Sequence, residues 1–431
     1  MNTRATYKND ATTAQAPKWG AVFALTLCVA TLIASEFMPV SLLTPIAADL
    51  SITEGRAGQA IAISGLFAVL TSLSISSLTR GIDRRKVLLW LTLVMMASGA
   101  MVAFAPSAFV FMAGRALIGV VVGGFWSMSA ATVMRLVPEA DVPKALGLLN
   151  GGNALATIVA APLGSFLGQY IGWRGAFFTV VPLAALTLVW LFASLPPMPS
   201  APSSSKGTVF RVLRREHVPL GMLAATLFFL GNFALYTYLR PFLETVTGVS
   251  VSTLSLVLLL MGVAGLLGNW LIGLVLRKQL YSVLTLLPVA MAAIALSLTV
   301  FGGALIPVTL LLVVWGLLST AAPVGWWTWL SQVLPDDAEA GGGLMVAVIQ
   351  LSIALGATAG GVVYDLSGYR STLMISAVAL LASALFAGLG WREVRRRRNQ
   401  ADGLTASTGA TLGNAGAIPI NANRRSSIRK D

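Results

Sequence analysis

Apolar stretches of about twenty residues, parted by short polar segments, recur along the whole chain. A helix needs about 20 such residues to cross a bilayer. Stretches of this kind lie at 19–45, 57–79, 87–105, 108–134, 145–169, 174–195, 219–241, 252–276, 281–301, 306–333, 342–364 and 371–391. Between the sixth and seventh comes "PPMPSAPSSSKGTVFRVLRRE", a Pro/Ser-rich linker that ends in basic residues. The pattern predicts an all-α polytopic membrane protein with twelve transmembrane helices in two six-helix bundles. A polar N-terminal segment (1–18) precedes the first bundle (19–195), and a linker (196–218) joins it to the second (219–391). After "REVRRRRNQ" the tail (392–431) is rich in Gly, Ala, Ser, Thr and Asn, and is expected to be disordered.

Composition sharpens this reading. Hydrophobic residues make up 56% of the chain and charged ones 10%, with a mean hydropathy of +0.82. A soluble domain carries about 25% charged residues, so this chain has too little polar surface to face water all round. The apolar run after the first 18 residues is too long for a cleavable signal core and reads as an uncleaved first span.

The formal charge of +13 is unevenly spread. With both termini on one side, 24 of the 29 Lys and Arg residues fall on that side and only Arg56, Arg174 and Arg370 opposite, while Arg115 and Arg240 lie within spans. The positive-inside bias places both termini in the cytoplasm. It also makes the arginine-rich tail a membrane anchor rather than a nucleic-acid-binding arm. Cys28 is the only cysteine and His217 the only histidine, so neither a disulfide nor a Cys/His metal site is expected. No nucleophile–base arrangement is visible either, and an enzyme is not expected.

The halves echo each other. "APLGSFLGQYIGWRGAFF" resembles "ATAGGVVYDLSGYRSTLM", with Ala161, Gly164, Gly172 and Arg174 matching Ala357, Gly360, Gly368 and Arg370 at an offset of 196. "GFWSMS" ahead of "LVPEAD" similarly resembles "GWWTWL" ahead of "LPDDAE". Such repeats make the bundles pseudo-symmetric. Parallel six-span repeats are one way secondary transporters are built, with the substrate held between the halves near the midplane.

Charges inside spans are costly and mark function. Glu36, in "LIASEFMPVSLLTP", is the one charge in its span. At ~1.5 Å per residue it lies ~22 Å across from the cytoplasmic face and ~8 Å from the outer edge. Arg115, on a span running the opposite way, lies ~10 Å below the same edge. The two are expected to share the central cavity, in contact or through one water. Either they form a permanent ion pair between spans one and four, or Glu36 gains and loses a proton as its distance from Arg115 changes. Glu244 lies four residues from Arg240, as in a simple ion pair.

Polar groups near the midplane are candidates for solute contact. Asn153 and Gln350 occupy nearly equivalent repeat positions, and Asn232 and Tyr236 share a helix face. Helix–helix hydrogen bonding is the alternative use for the amides. Trp126, Trp326 and Trp327 could stack on a ring, or could belong to the interfacial aromatic belt. Pro162 removes a helix hydrogen bond and predicts a bend. Gly119 and Gly123, four residues apart after Arg115, suit close helix packing.

Several of these stretches resemble signatures of the major facilitator superfamily. "RGIDRRKVLL" is similar to its cytoplasmic loop pattern D-R-x-G-R-K, with the x-G pair missing between Asp83-Arg84 and Arg85-Lys86. In the family this loop locks the cytoplasmic side shut, so the resemblance implies a gate at Asp83, Arg84, Arg85 and Lys86. "GRALIGVVVGG" resembles R-x-x-x-G, which implies proton coupling for Arg115, and "APLGSFLG" resembles a degenerate antiporter signature G-P-x-x-G-G. Longer runs, "EFMPVSLLTPIAADL", "GGFWSMSAATVMRLVP", "VPKAL", "YTYLRP", "PVGWWTW" and "VAVIQL", resemble members of the drug:proton antiporter branch that export purine ribonucleosides from bacteria.

That resemblance implies a monomeric inner-membrane antiporter moving inosine- or guanosine-like solutes outward against protons, with no other cofactor. Sugar or multidrug efflux by the same fold is the alternative within transport. A membrane sensor or scaffold is the alternative outside it.

Overall fold

The computed structural model describes residues 17–199, 213, 215, 218–334 and 338–415. Most of the N-terminal segment, most of the linker with His217, and the end of the tail lie outside the described residues. All regular secondary structure among those described is helical. In a bilayer core each backbone N–H and C=O must be satisfied within its own segment, and helices do this.

The first bundle comprises α1 (Trp19–Asp49), α2 (Glu54–Leu78), α3 (Arg84–Ala103), α4 (Ala108–Leu136), α5 (Val142–Phe178) and α6 (Val180–Ser194). The second comprises α7 (Val218–Thr237), the short α8 (Leu239–Phe242), α9 (Val251–Phe301), α10 (Leu305–Val333), α11 (Ala338–Ser367) and α12 (Tyr369–Ala415). Side chains fix several starts. Thr53, Asp83, Ser107 and Ser250 accept hydrogen bonds from the first free N–H groups of α2, α3, α4 and α9.

Eleven described segments are long and apolar enough to cross a membrane. One of them, Glu139–Ser194, has 56 residues. At ~1.5 Å per residue it is ~84 Å long, far more than one ~30 Å crossing. It turns at Gly172 (φ 71°) and holds two crossings, which makes twelve. The backbone keeps helical φ/ψ through Pro162, and the chain turns ten residues later at Gly172, where glycine tolerates positive φ. In the second half Gly368 adopts φ 77° at the same offset of 196. The repeated sequence thus encodes a repeated turn. Spans eight and nine are two helices within α9 that meet at a kink at Gln279 (φ −136°). α12 runs from Tyr369 to Ala415. Its stretch from Arg392 to Ala401 is rich in Arg, Glu, Gln and Ala, which are strong helix formers.

The buried apolar residues show how the bundles meet. One cluster, from Ala21 through Phe125 to Met198, belongs wholly to the first bundle. A second fills the second bundle and takes in Val40, Ile61, Ala62 and Ala161 from the first. The third, around Leu43, Phe111 and Trp173, takes in Tyr238 from the second. The halves therefore share a core toward one end and keep separate cores toward the other.

Gly119 and Gly123 of α4 lie against α2. A Cβ at Gly119 would press into the Ser64 carbonyl and come within 2.9 Å of the Phe67 Cβ, and one at Gly123 would meet the Ala68 backbone. Gly119→Leu is expected to force α2 and α4 apart at a cost of about 1–3 kcal/mol or more. A clear fall in the thermal midpoint of detergent-purified protein would show this, and an unchanged midpoint would contradict it.

Candidate functional site

The site begins with two prolines. Pro39 and Pro45 lie inside α1 and have no N–H. The carbonyls four residues earlier, Ser35 and Ser41, are therefore left without their helical partners, and an arginine takes each one. Arg115 of α4, fully buried, donates from Nη1 to Ser35 O and from Nη2 to Glu36 O, both at 2.8 Å. It also reaches Ser64 Oγ and Ala60 O of α2, each at 3.4 Å. Arg240 of α8, in the other bundle, donates to Ser41 O and pairs with Glu244 at 2.7 Å.

Arg115 and Glu36 thus meet through Glu36's main chain. The side-chain ion pair expected from the sequence is not present; the Ser35 carbonyl freed by Pro39 and the neighbouring Glu36 carbonyl occupy the guanidinium. The buried Glu36 carboxylate turns instead toward the second bundle, where Oε1 accepts from Gln350 Nε2 at 3.3 Å.

Pseudo-symmetry organises the surroundings. Asn232 and Phe233 stand 196 residues after Glu36 and Phe37. The two phenylalanines stack across the bundle interface, centroids 5.8 Å apart and planes 24° apart. They mark where the pseudo-twofold axis passes, with Glu36 and Asn232 in equivalent places beside it. Tyr236 packs edge-on to Phe233 at 6.0 Å. Asn232 Oδ1 and Gln350 Oε1 are buried and accept no hydrogen bond among the described residues.

Not every candidate joins this group. Asn153 is half-buried on α5. Trp326 is fully buried in the second bundle, where it packs edge-on to Trp329 at 6.0 Å. There it lines a cleft with Gly221, Tyr281 and Phe386. It belongs neither to an interfacial belt nor to the Glu36 group. Trp327 is exposed, and Trp126 packs on Phe125.

The described polar and ring contacts between bundles all lie at or beyond the level of Glu36 toward the end where α1 stops. Beyond Glu36–Gln350 and Phe37–Phe233 come Gln59–Thr358 at 3.1 Å and Arg240–Ser41. Asp365 accepts from Thr53 Oγ1 at 2.6 Å and from Gly55 N at 3.0 Å. Tyr238 bridges Ala357 O of its own bundle (2.7 Å) and Gly55 O of the other (3.4 Å). At the opposite end, Gly147 of α5 and Gly343 of α11 have open space beside them. The described contacts between the bundles thus gather at one end of the molecule.

Reading the sequence missed Asp365, Tyr238 and the reach of Arg240 as fasteners of this seam. A proline four residues after a carbonyl is the signal that could have pointed to Arg240. Pro45→Ala restores an N–H for Ser41 O and is expected to loosen the Arg240 contact, worth about 1.5–3 kcal/mol for a bond from a charged donor. Cysteine accessibility beside Gly55 should rise; unaltered accessibility would show that Arg240 does not hold the seam.

The described contacts of the Asp83 loop tie it to the end of the first bundle. Asp83 caps α3 through Arg85 N (2.8 Å) and accepts from Met198 N (3.0 Å), beyond α6. Arg84 N donates to Met198 O at 3.0 Å. Arg85 donates to Phe192 O at 2.6 Å and lies over the Phe192 ring, while Lys86 is exposed.

Residues 25–356 match the family model described as Major Facilitator Superfamily. The chain belongs to this superfamily. A protein of Pseudomonas aeruginosa PAO1 named transcription regulatory protein OpdE is 58% identical over 388 residues, covering 89% of this chain and 96% of that one. The purine ribonucleoside efflux pump NepI of Escherichia coli K12 is 43% identical over 369 residues, covering 86% and 93%. Among solved structures, a bacterial homologue of the human lysosomal transporter Spinster superposes with TM-score 0.72 at 16% identity, covering 88% of this chain and 98% of that one. A D-xylose–proton symporter gives 0.70 at 16% identity, covering 86% and 97%. The chain is a multi-pass membrane transporter and not an enzyme. Among the described residues no group of three or more His, Cys, Asp or Glu could hold a metal.

Proposed function

We propose that this protein exports purine ribonucleosides across the bacterial inner membrane in exchange for protons, by alternating access between its two bundles. The observation that carries the reading is the placement of Glu36, a buried carboxylate at the edge of the inter-bundle seam, bonded to the opposite bundle through Gln350. A carboxylate at this level senses both access states, which is what a coupling group requires. With both termini cytoplasmic, the end where these contacts gather is periplasmic and the described state is inward-facing.

The nucleoside as substrate rests on relatives named for purine ribonucleoside efflux, 43% identical over most of their length. The surroundings of Glu36 suit such a solute. Stacked and edge-on rings at Phe37, Phe233 and Tyr236 offer faces to a base. Unpartnered acceptors on Asn232 and Gln350 offer hydrogen bonds to its N–H or O–H groups.

The test is uptake of labelled inosine by inside-out proteoliposomes under an imposed proton gradient, with sugar and drug competitors. Gradient-dependent accumulation that unlabelled guanosine suppresses, and sugars and drugs do not, supports the reading. Suppression by a sugar or drug alone would reassign the substrate. A second reading, a regulatory membrane protein, follows from the name of the 58% identical relative. It would be favoured if no tested solute moved under any gradient.

A further inference from the structure

We infer that Gln350 is a positioning residue through which the protonation state of Glu36 reaches the second bundle. The inference rests on the proposed titration of Glu36 and extends it to the partner that reads the change.

Three observations carry it. Among the described residues, Gln350 is the side chain of the second bundle that hydrogen-bonds the Glu36 carboxylate, and it is nine-tenths buried. Its backbone is held against the first bundle, since a Cβ at Gly65 of α2 would lie 2.8 Å from Gln350 O. The amide therefore stands at a fixed place at the foot of the seam. Its other end, Oε1, is buried and accepts no hydrogen bond among the described residues.

An amide carries two donor hydrogens on nitrogen and an acceptor on oxygen. With Glu36 ionised, Nε2–H donates to the carboxylate in a charge-assisted bond that draws α11 onto α1. When Glu36 takes a proton from water, it becomes an O–H donor and the charge is gone. The amide then turns about its last torsion, and Oε1 accepts the new O–H in a weaker, neutral bond. Each form of Glu36 has its own bond to the second bundle, and the exchange changes the grip at the base of the seam.

Other charged groups near α1 are accounted for elsewhere. Arg115 from α4 holds Ser35 and Glu36 carbonyls, and Arg240 from α8 holds Ser41. Lys144 of α5 lies over Trp19, Arg174 of α5 pairs with Asp49, and Glu54 and Arg56 are at the far end of α2.

The test uses the full chain in nanodiscs, with Cys28→Ala and spin labels at Gly147→Cys and Gly343→Cys, both exposed with open space around them. Their separation, read by pulsed electron resonance in acid and alkaline buffer, follows the distance between the bundles at the end away from the seam without needing a substrate. The wild-type side chains at positions 36 and 350 should give a pH-dependent shift in distance, and Glu36→Gln should abolish it. Gln350→Leu should shrink the shift about threefold or more, and Gln350→Asn should restore part of it. A full shift in Gln350→Leu would overturn the inference while leaving the titration of Glu36 standing. No shift with Glu36 and Gln350 both intact would overturn the titration itself, and the inference with it.

Discussion

Replacing Glu36 by glutamine is expected to abolish proton-driven transport while leaving solute exchange in place. Glutamine has nearly the shape of the acid and can still accept from Gln350, so the seam contact survives. It cannot gain or lose a proton, so each turnover is uncoupled from the gradient. Accumulation of labelled inosine under a gradient should fall by about two orders of magnitude, to the passive leak. Counterflow of labelled against unlabelled inosine, which needs no net proton movement, should stay within about threefold of the parent. Full gradient-driven accumulation in Glu36→Gln would show that protons travel by another group. Loss of counterflow as well would make Glu36 a solute ligand first.

The largest effect on stability is expected at Arg115. Its guanidinium is fully buried and makes two 2.8 Å bonds to carbonyls of α1, with weaker contacts to α2. A bond from a charged donor contributes about 1.5–3 kcal/mol, so losing both in Arg115→Met should cost about 3–6 kcal/mol. The thermal midpoint of the purified protein should drop by several degrees. Arg115→Lys should recover only part, since an ammonium cannot present the planar fork that spans Ser35 and Glu36.

Pro39 makes the claim more specific. Pro39→Ala supplies the missing N–H, so Ser35 O can bond within its own helix. The double variant Pro39→Ala/Arg115→Met should therefore be more stable than Arg115→Met alone, a coupling that a double-mutant cycle measures directly. Additive losses would mean that the proline-freed carbonyl is not what Arg115 stabilises.

Much of this architecture was legible in the chain because a bilayer leaves few choices. Spans follow from length and hydropathy, and Gly172 and Gly368 were visible as matched repeat positions before their shared backbone conformation was. Depth alone put Glu36 and Arg115 at one level, since helical rise is nearly constant.

What stayed hidden depends on partners rather than on position. Arg240 and Glu244 read as a simple i, i+4 pair, yet Arg240 also reaches across to a carbonyl that Pro45 frees in another helix. Trp326 could not be assigned because lipid and protein interior are equally apolar, and hydropathy does not separate them. The break at Gln279 carries no glycine or proline signal, yet it falls between the apolar stretches 252–276 and 281–301, where Arg277 and Lys278 interrupt the hydropathy.

The proposed cycle turns on one event, a proton carried on Glu36 each time a solute moves. It is tested most directly by adding inosine to proteoliposomes that hold a pH-sensitive dye and have no imposed gradient. The prediction is a prompt change in internal pH as inosine crosses in exchange for protons, absent in Glu36→Gln although labelled inosine still exchanges. Inosine flux with an unchanged internal pH in the parent protein would contradict it.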